Sequence, residues 1–412
     1  MAGMKDGIIK RGNLWYFVIR VKDPLTGKSK PKWVGGFATK DEAEEQRDEA
    51  RVAARRGEFV DRSDISVALY LADWLGAHAL EVRPATLSGY RQMIENYVIP
   101  NIGNMRLQQV RPMTLTKLYV DLLDHGGKDG KPLSRRTVNY VHATLRKALN
   151  DAVHVEGILP NNPALRAKKP KSKGQSQAPD VWDAAQLRLF LGLVKDHQWF
   201  ALYRLAAYSG ARRGELLALR WSDVDWTGKS IRIRASAGLV ENERLEGSTK
   251  SGRERRVSLD AETLDALKAH RKRQMHDQSV AGEAWEETSG LVFVNGLGRP
   301  IYPTAPTQKL AKTIEEYAET NEAKPKATRG PSLPHIRFHD LRHVHATLLL
   351  KAGVPVHVVA ARLGHADPSV TLRVYAHVIP EQAAEVADRF ADLVDQDDEG
   401  TEEHGDETEE GR

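Results

Sequence analysis

The chain has no cysteine in any of its 412 residues. A disulfide framework and a cysteine-ligated zinc finger are therefore both excluded, and the composition suits a reducing compartment. No apolar run is long enough to span a bilayer and no secretory leader pattern is present, so no membrane partner is expected and the cytoplasm is the expected location. Also missing are a GxxxxGK loop that would cradle nucleotide phosphates and an acidic cluster suited to Mg²⁺. The expected metal is none, and the expected cofactor is none.

Positive charge is what the chain does have. Its formal net charge is +5, but the last eighteen residues hold ten carboxylates and one arginine, a net of −9, which leaves +14 on residues 1–394. A body that basic points to a polyanionic partner. The tail, 395–412, is almost devoid of apolar groups and is expected to be disordered. The length allows two or three domains with cores of their own.

The most informative stretch runs from Pro334 to Pro380. His339 and Arg342 stand three apart, so on a helix they share a face and can converge on one anion. Leu341, Val344, Leu348 and Leu349 form an apolar stripe, with Gly353 placed as the helix stop. Pro355 opens a second short helix that ends near Gly364. Asp367 and Pro368 read as the N-cap and first-turn proline of a third, which carries Tyr375. His365 falls in the tight turn between those two helices, ten residues before the tyrosine.

Further upstream, an apolar helix from Phe200 to Tyr208 leads into the run SGARRGELLAL. Arg212 there sits at a turn entering a helix N-terminus, where free N–H groups and the helix dipole add to its charge on an anion. Glu215 falls in the first turn, where the dipole favours it and it can brace an arginine. A short strand pair, Ser230 to Ala235 and Arg255 to Leu259, flanks the turn Gly247 to Gly252. Lys250 projects from that turn at a basic edge.

Taken singly, these are a helix face, a cap and a core tyrosine. Taken in order, Arg212, Lys250, His339, Arg342, His365 and Tyr375 resemble the tyrosine recombinase (phage integrase) family over about Val181 to Leu393. The blocks HDLRH, LGH and TLRVYAHV carry the resemblance. It implies that Tyr375 is the nucleophile, that Arg212 and Arg342 bind the scissile phosphate, and that Lys250 is the general acid. It further implies that His339 and His365 assist, with Glu215 behind them; His345, where many relatives carry an aromatic residue, is expected to pack rather than take part in chemistry.

The residue types suit that chemistry. Negative charge spreads onto the non-bridging oxygens of a phosphodiester as a nucleophile attacks. Arginines offer permanently charged, bidentate donors to those oxygens, and a lysine or histidine can protonate the leaving hydroxyl. A phenol is a weak nucleophile at neutral pH, so a cationic pocket is expected to favour its ionised form. Exchanging a phosphodiester for a phosphotyrosine conserves bond energy, and strands could be rejoined without ATP.

Residues 8–38 alternate as strands do, with Trp15, Phe17, Ile19 and Val21 on one side. Thr39 to Glu42 has capping-box spacing for a helix to about Arg56. A three-stranded sheet with one helix resembles the family's arm-binding domain, in which Arg20 and Lys22 would dock in a DNA groove. From Ile65 to Ala167 the pattern is helical: Ser66 to Ala79, Pro84 to Tyr97, Thr114 to Leu123, and a fourth helix capped by Ser134. The fourth turns Val138, Val141, Leu145 and Leu149 inward and Arg135, Arg136, Arg146 and Lys147 outward. Four helices there resemble the family's core-binding domain. Lys168 and Lys169 open a linker that could cross a phosphate backbone.

The expected fold is therefore multidomain α+β. A small sheet plus helix (1–60) is followed by a four-helix core-binding domain (65–167), a basic linker (168–180), a mainly α catalytic domain with a small antiparallel sheet (181–394), and the acidic tail. The expected function is site-specific recombination through a 3′-phosphotyrosine, integrating or excising a phage or other mobile element. Its partners would be duplex DNA attachment sites, three further copies of the chain in a tetramer on DNA, and accessory factors for direction and DNA bending. A type IB topoisomerase is the nearest alternative. The other is a non-catalytic regulator using the helix–turn–helix outline of residues 355–376, which leaves Arg212, Lys250 and Tyr375 unexplained.

Overall fold

The computed structural model describes residues 7–22, 28–56, 59–171, 181–241, 243–249, 252–288 and 290–376. Lys250, most of the linker, residues 381–394 (whose Val386, Phe390, Leu393 and Val394 read in sequence as one side of an amphipathic helix) and the acidic tail lie outside the described residues, as does the side chain of Lys22. The chain divides into two compact units, residues 1–174 and 175–412.

The first unit begins with strands β1 (Ile8–Arg11), β2 (Leu14–Lys22) and β3 (Ser29–Phe37), antiparallel and in that order. Strand alternation puts Phe17 and Ile19 on one face, where both are buried beneath helix α1 (Lys40–Arg56). Thr39 and Glu42 cap α1: the Thr39 hydroxyl accepts the Glu42 N–H at 3.2 Å, and the Glu42 carboxylate accepts the Ala38 N–H at 3.1 Å.

A helical bundle follows. Its members are α2 (Val67–His78), α3 (Pro84–Met93) with its continuation α4 (Ile99–Ile102), α5 (Pro112–His125) and α6 (Arg135–His154). Serines open two of them, Ser66 accepting the Leu69 N–H and Ser134 accepting the Thr137 N–H. The helix expected to end at Tyr97 runs on through a π turn, Ile94–Val98, in which Ile99 donates to the Ile94 carbonyl. The reason is Pro100. It has no N–H and its ring crowds the carbonyl four residues back, and a widened turn relieves both defects without ending the helix. Val138, Val141, Leu145 and Leu149 of α6 are all buried, each contributing roughly 1.5–3 kcal/mol relative to exposure. Leu69 lies on the outer face of α2 and is exposed.

The second unit is built around α8 (Phe200–Ser209), which follows α7 (Ala184–Leu193). A helix apolar around its whole circumference must be buried on every side. Accordingly α8 packs between two later helices, α10 (Ala261–Ala281) and α12 (Asp340–Lys351), once α9 (Arg213–Leu217) has turned the chain away. The charged residue within α8, Arg204, is buried; it donates to Asp260 at 3.0 Å and Glu262 at 2.9 Å and lies 4.2 Å over the Tyr208 ring. That pairing pins the start of α10 against α8.

Strands β4 (Val224–Asp225) and β5 (Ser230–Ile233) pair, a hairpin of β6 (Ala235–Val240) and β7 (Glu243–Ser248) is inserted, and β8 (Arg255–Ser258) returns to pair antiparallel with β5. The strand pair expected from the sequence is present, but the simple turn between its members is a second hairpin. α10 continues through polar turns to Ala281. The remaining helices are α11 (Thr304–Glu322), α13 (Val356–Leu363) and α14 (Pro368–Tyr375). A sheet-plus-helix, a helical bundle and a mainly helical unit with small antiparallel sheets bear out the α+β expectation.

Candidate active site

Four elements of the second unit bring the sequence-predicted residues together. α8 ends in Gly210, at a left-handed φ of 63°, and the chain then extends through Arg212 into α9. Glycine is required at this turn: a Cβ on residue 210 would meet the His345 ring at 2.7 Å and Leu363 at 2.8 Å. The carbonyl of Gly210 accepts from Arg342 Nη1 of α12 at 2.8 Å. The other terminal nitrogen of Arg342 lies 2.8 Å from His365 Nε2, in the turn between α13 and α14.

These contacts assign the tautomer of His365. An arginine can only donate, so Nε2 of His365 is the acceptor, and Nδ1 carries the hydrogen toward Thr371 Oγ1, 2.7 Å away. Burial pushes this imidazole down to about 4, helped by Arg342, Arg212 and Arg255, so it is neutral at pH 7. Arg342 itself is only 4% exposed. Burial and the nearby charge of Arg212 lower it to about 9, against the pull of Glu215, and it stays charged at neutral pH.

Glu215, 2% exposed, lies at the hub. Its carboxylate accepts the backbone N–H of Arg212 at 2.8 Å and the Arg212 side chain at 3.0 Å. It also accepts both terminal nitrogens of Arg255, at 3.1 and 2.7 Å. Burial alone would raise this carboxyl; the Arg255 hydrogen bonds and charge, followed by the Arg212 N–H and charge, outweigh it and hold it below its ordinary value. Three guanidiniums set against one carboxylate leave a net charge of +2 among the described residues. That matches a phosphodiester monoanion that gains charge as a nucleophile adds to it.

Tyr375, at the end of α14, is 3% exposed, and its hydroxyl lies 2.5 Å from Nδ1 of His343. In the free protein the phenol feels two opposed influences. Arg342 does pull it down, but burial, with Asp340 adding to it, pushes it up to about 12. His339 stands just before α12 with an exposed edge, its ring perpendicular to that of His343 at 5.6 Å. Its imidazole is pushed below its ordinary value by burial of the inner side and by His343 and Arg342. His345 is buried: Nδ1 donates to the Ala207 carbonyl at 2.8 Å and Nε2 accepts from Arg362 Nε at 3.0 Å. Arg213, next to Arg212, turns away to the Thr307 hydroxyl at 3.0 Å.

The sequence profile of the phage integrase family matches residues 190–382. An arm DNA-binding domain matches at 8–51, and the N-terminal SAM-like domain of phage integrases at 67–123. The chain belongs to the phage integrase family. It is 27% identical over 409 residues to a tyrosine recombinase XerC-like protein of Caldanaerobacter subterraneus subsp. tengcongensis, a match spanning 94% of this chain and 99% of the other. It is 25% identical to the ICEBs1 integrase of Bacillus subtilis over 90% and 95% of the two chains. Its fold is like that of the Tn1549 transposon integrase solved in complex with a circular intermediate DNA, with a TM-score of 0.63, 17% identity, and 79% of this chain and 99% of that one covered. This integrase is thus a DNA strand-transfer enzyme of the tyrosine recombinase type, a class that works through a 3′-phosphotyrosine.

Three residues of the integrase's site were not singled out from sequence. Arg255 completes the Glu215 pair and also donates through Nε to the Arg362 carbonyl at 3.0 Å. Arg362 ties α13 to α8 and β8 through Tyr208, Ser258 and His345. His343 contacts the tyrosine. Only His343 had a local signal, its place inside the HDLRH block; the other two act across the fold.

Of the expected DNA contacts in the first unit, Arg135, Arg136, Arg146, Lys168 and Lys169 are exposed. Lys147 is half-buried, with Asp151 at 3.7 Å. Arg20 is exposed and donates to Ser29 on the neighbouring strand at 3.1 Å.

Proposed function

We propose that Tyr375 attacks the scissile phosphodiester of an attachment site while Arg212 and Arg342 hold its non-bridging oxygens. Lys250 protonates the leaving 5′-oxygen, His339 and His365 assist at the phosphate, and Glu215 keeps Arg212 oriented. One observation carries this reading: Arg342 bonds at once to the carbonyl of the turn that carries Arg212 and to His365. Arg212 and His365, 153 positions apart in sequence, would otherwise have no reason to converge.

In this reading residues 1–60 bind an arm sequence, and 65–167 bind the core site with Arg135, Arg136, Arg146, Lys147, Lys168 and Lys169 on phosphates. Recombining two duplexes requires four strand cleavages, and each tyrosine is consumed by one, so four copies act together. The substrate is the attachment site of a phage or other mobile element. A small directionality factor and a host DNA-bending protein complete the assembly, and the enzyme works at the nucleoid, in the cytoplasm. Neither metal nor cofactor takes part, and cleavage is expected to persist in EDTA.

The test begins with recovering a core site from a random duplex pool by selection for binding. On a nicked suicide duplex carrying that site, the wild type is expected to form a covalent adduct. Tyr375→Phe is expected to bind equally and form none, and an adduct in that variant would remove Tyr375 from the role. Arg342→Ala is expected to cleave roughly a hundred- to a thousand-fold more slowly.

A further inference from the structure

His343 lies between His339 and His345, yet none of the roles above uses it. It projects from α12 toward α14, with Nδ1 2.5 Å from Tyr375 Oη and the two rings 5.7 Å apart between centroids. With the phenol held up to about 12, Tyr375 is protonated at neutral pH and a weak nucleophile. A neighbouring group has to take that proton as the oxygen attacks.

The clamp arginines have no lone pair to offer. His365 is engaged at both ring nitrogens, by Arg342 and by Thr371. His343 is half-buried and meets the phenol through a single nitrogen. Burial lowers its imidazole, Asp340 opposes, and Arg342 and Arg337 add to the lowering, so the ring is neutral and able to accept.

We propose that His343 is the general base of strand cleavage, taking the Tyr375 phenolic proton on Nδ1. The proposal rests on Tyr375 being the nucleophile. As the O–H proton passes to Nδ1, the phenolic oxygen bonds to phosphorus and the P–O5′ bond breaks. The departing 5′-oxygen takes a proton from the acid assigned to Lys250. Rejoining reverses each step, and the His343 imidazolium returns its proton to the phenolic oxygen.

The groups facing His343 fit a proton held briefly. On its own helix are Asp340, Arg342 and, at the helix start, His339. Arg337 precedes them, and Tyr375 and His365 face it from α14 and the turn before it. Asp340, a buried carboxylate fixed by three bonds from Arg337, favours the imidazolium. The arginines oppose it, which makes the proton easy to give back.

The experiment measures single-turnover adduct formation by the full chain on the suicide duplex. Three variants, His343→Gln, His343→Ala and Lys250→Ala, are assayed with an ordinary substrate and with one whose bridging 5′-oxygen is sulfur. A glutamine can accept the phenolic hydrogen bond but cannot take up the proton, so His343→Gln keeps the packing and DNA affinity. Both His343 variants are expected to slow adduct formation by a hundred-fold or more, on both substrates, because a thiolate leaving group needs no acid but the phenol still needs a base. The deficit should narrow as pH rises toward the phenol's own ionisation. Lys250→Ala should be restored by the sulfur substrate. A His343→Gln enzyme that cleaves at the wild-type rate, or that sulfur restores, overturns the general base. Tyr375→Phe, run in parallel, separates the failures: an adduct there removes the nucleophile assignment itself, whereas loss of the adduct leaves any failure with His343 alone.

Discussion

The helical bundle of residues 67–154 and the second unit fill their interiors differently. Among the described residues of the bundle, no Asp, Glu, Lys or Arg is fully buried, and its core is aliphatic and aromatic. The second unit buries Arg204, Glu215, Asp223, Asp340 and Arg342. Charges are costly to bury unless paired, and replacing such pairs by apolar residues is often neutral or stabilising. Glu215 and Arg342 belong to the proposed phosphate clamp, whereas Arg204 pins α10 against α8. The bundle can meet a polyanion with surface cations alone, whereas cleavage needs donors that do not move.

The strongest way to break that contrast is at Glu215. Glu215→Ala leaves Arg212 and Arg255 without their shared partner, and is expected to destabilise the second unit by roughly 3–5 kcal/mol. Denaturant unfolding of the full chain, with hydrogen exchange to locate the loss, reads this out. A variant as stable as the wild type would mean that the hub is not holding the unit together.

Leu145→Ala is the matching change in the bundle. It should cost about 2–5 kcal/mol through the cavity left on α6. Single-turnover cleavage on saturating DNA should stay at the wild-type rate, since nothing at the phosphate has moved. If cleavage falls with it, the two regions are not separable in function.

Acid sharpens the comparison. His345 is lowered from the usual 6.5 to about 4, by burial first and then by Arg362, against its bond to Ala207. Between those values the unfolded chain binds a proton that the native state refuses. Native stability is therefore full above pH 6.5 and declines as pH falls toward 4, by about 3 kcal/mol for this one group. Unfolding free energies of wild type and His345→Gln across that interval should diverge accordingly, and parallel curves would contradict the assignment. The smallest effect is expected at a cap: Ser134→Ala should cost about 1 kcal/mol in the bundle and leave cleavage untouched.

What could be read from sequence follows the range of the forces involved. Caps at Thr39, Ser66, Ser134 and Asp367 act within three residues, and they placed the starts of α1, α2, α6 and α14. The site blocks were legible because α12, α13 and α14 are consecutive and each is bounded by a cap or a glycine. The β6–β7 hairpin was not, because its strands carry Glu243, Arg244 and Glu246 at an exposed edge and lack clean alternation. Arg255 meets Glu215 across 40 residues of chain, a pairing that only the folded β8 creates.

Gly364 has a consequence for how such a gene decays. It turns the chain at a φ of 70°, and a Cβ there would meet the Arg255 guanidinium at 2.8 Å. One neighbour in sequence is packed in the core; the other is His365, bonded to Arg342. A single codon change at this residue, which has no side chain and takes no part in proton or phosphate chemistry, would press on the Glu215 pair and the histidine turn together. Copies of the element immobilised by drift are therefore expected to carry lesions here, at a position silent in the chemistry, as readily as at the tyrosine itself.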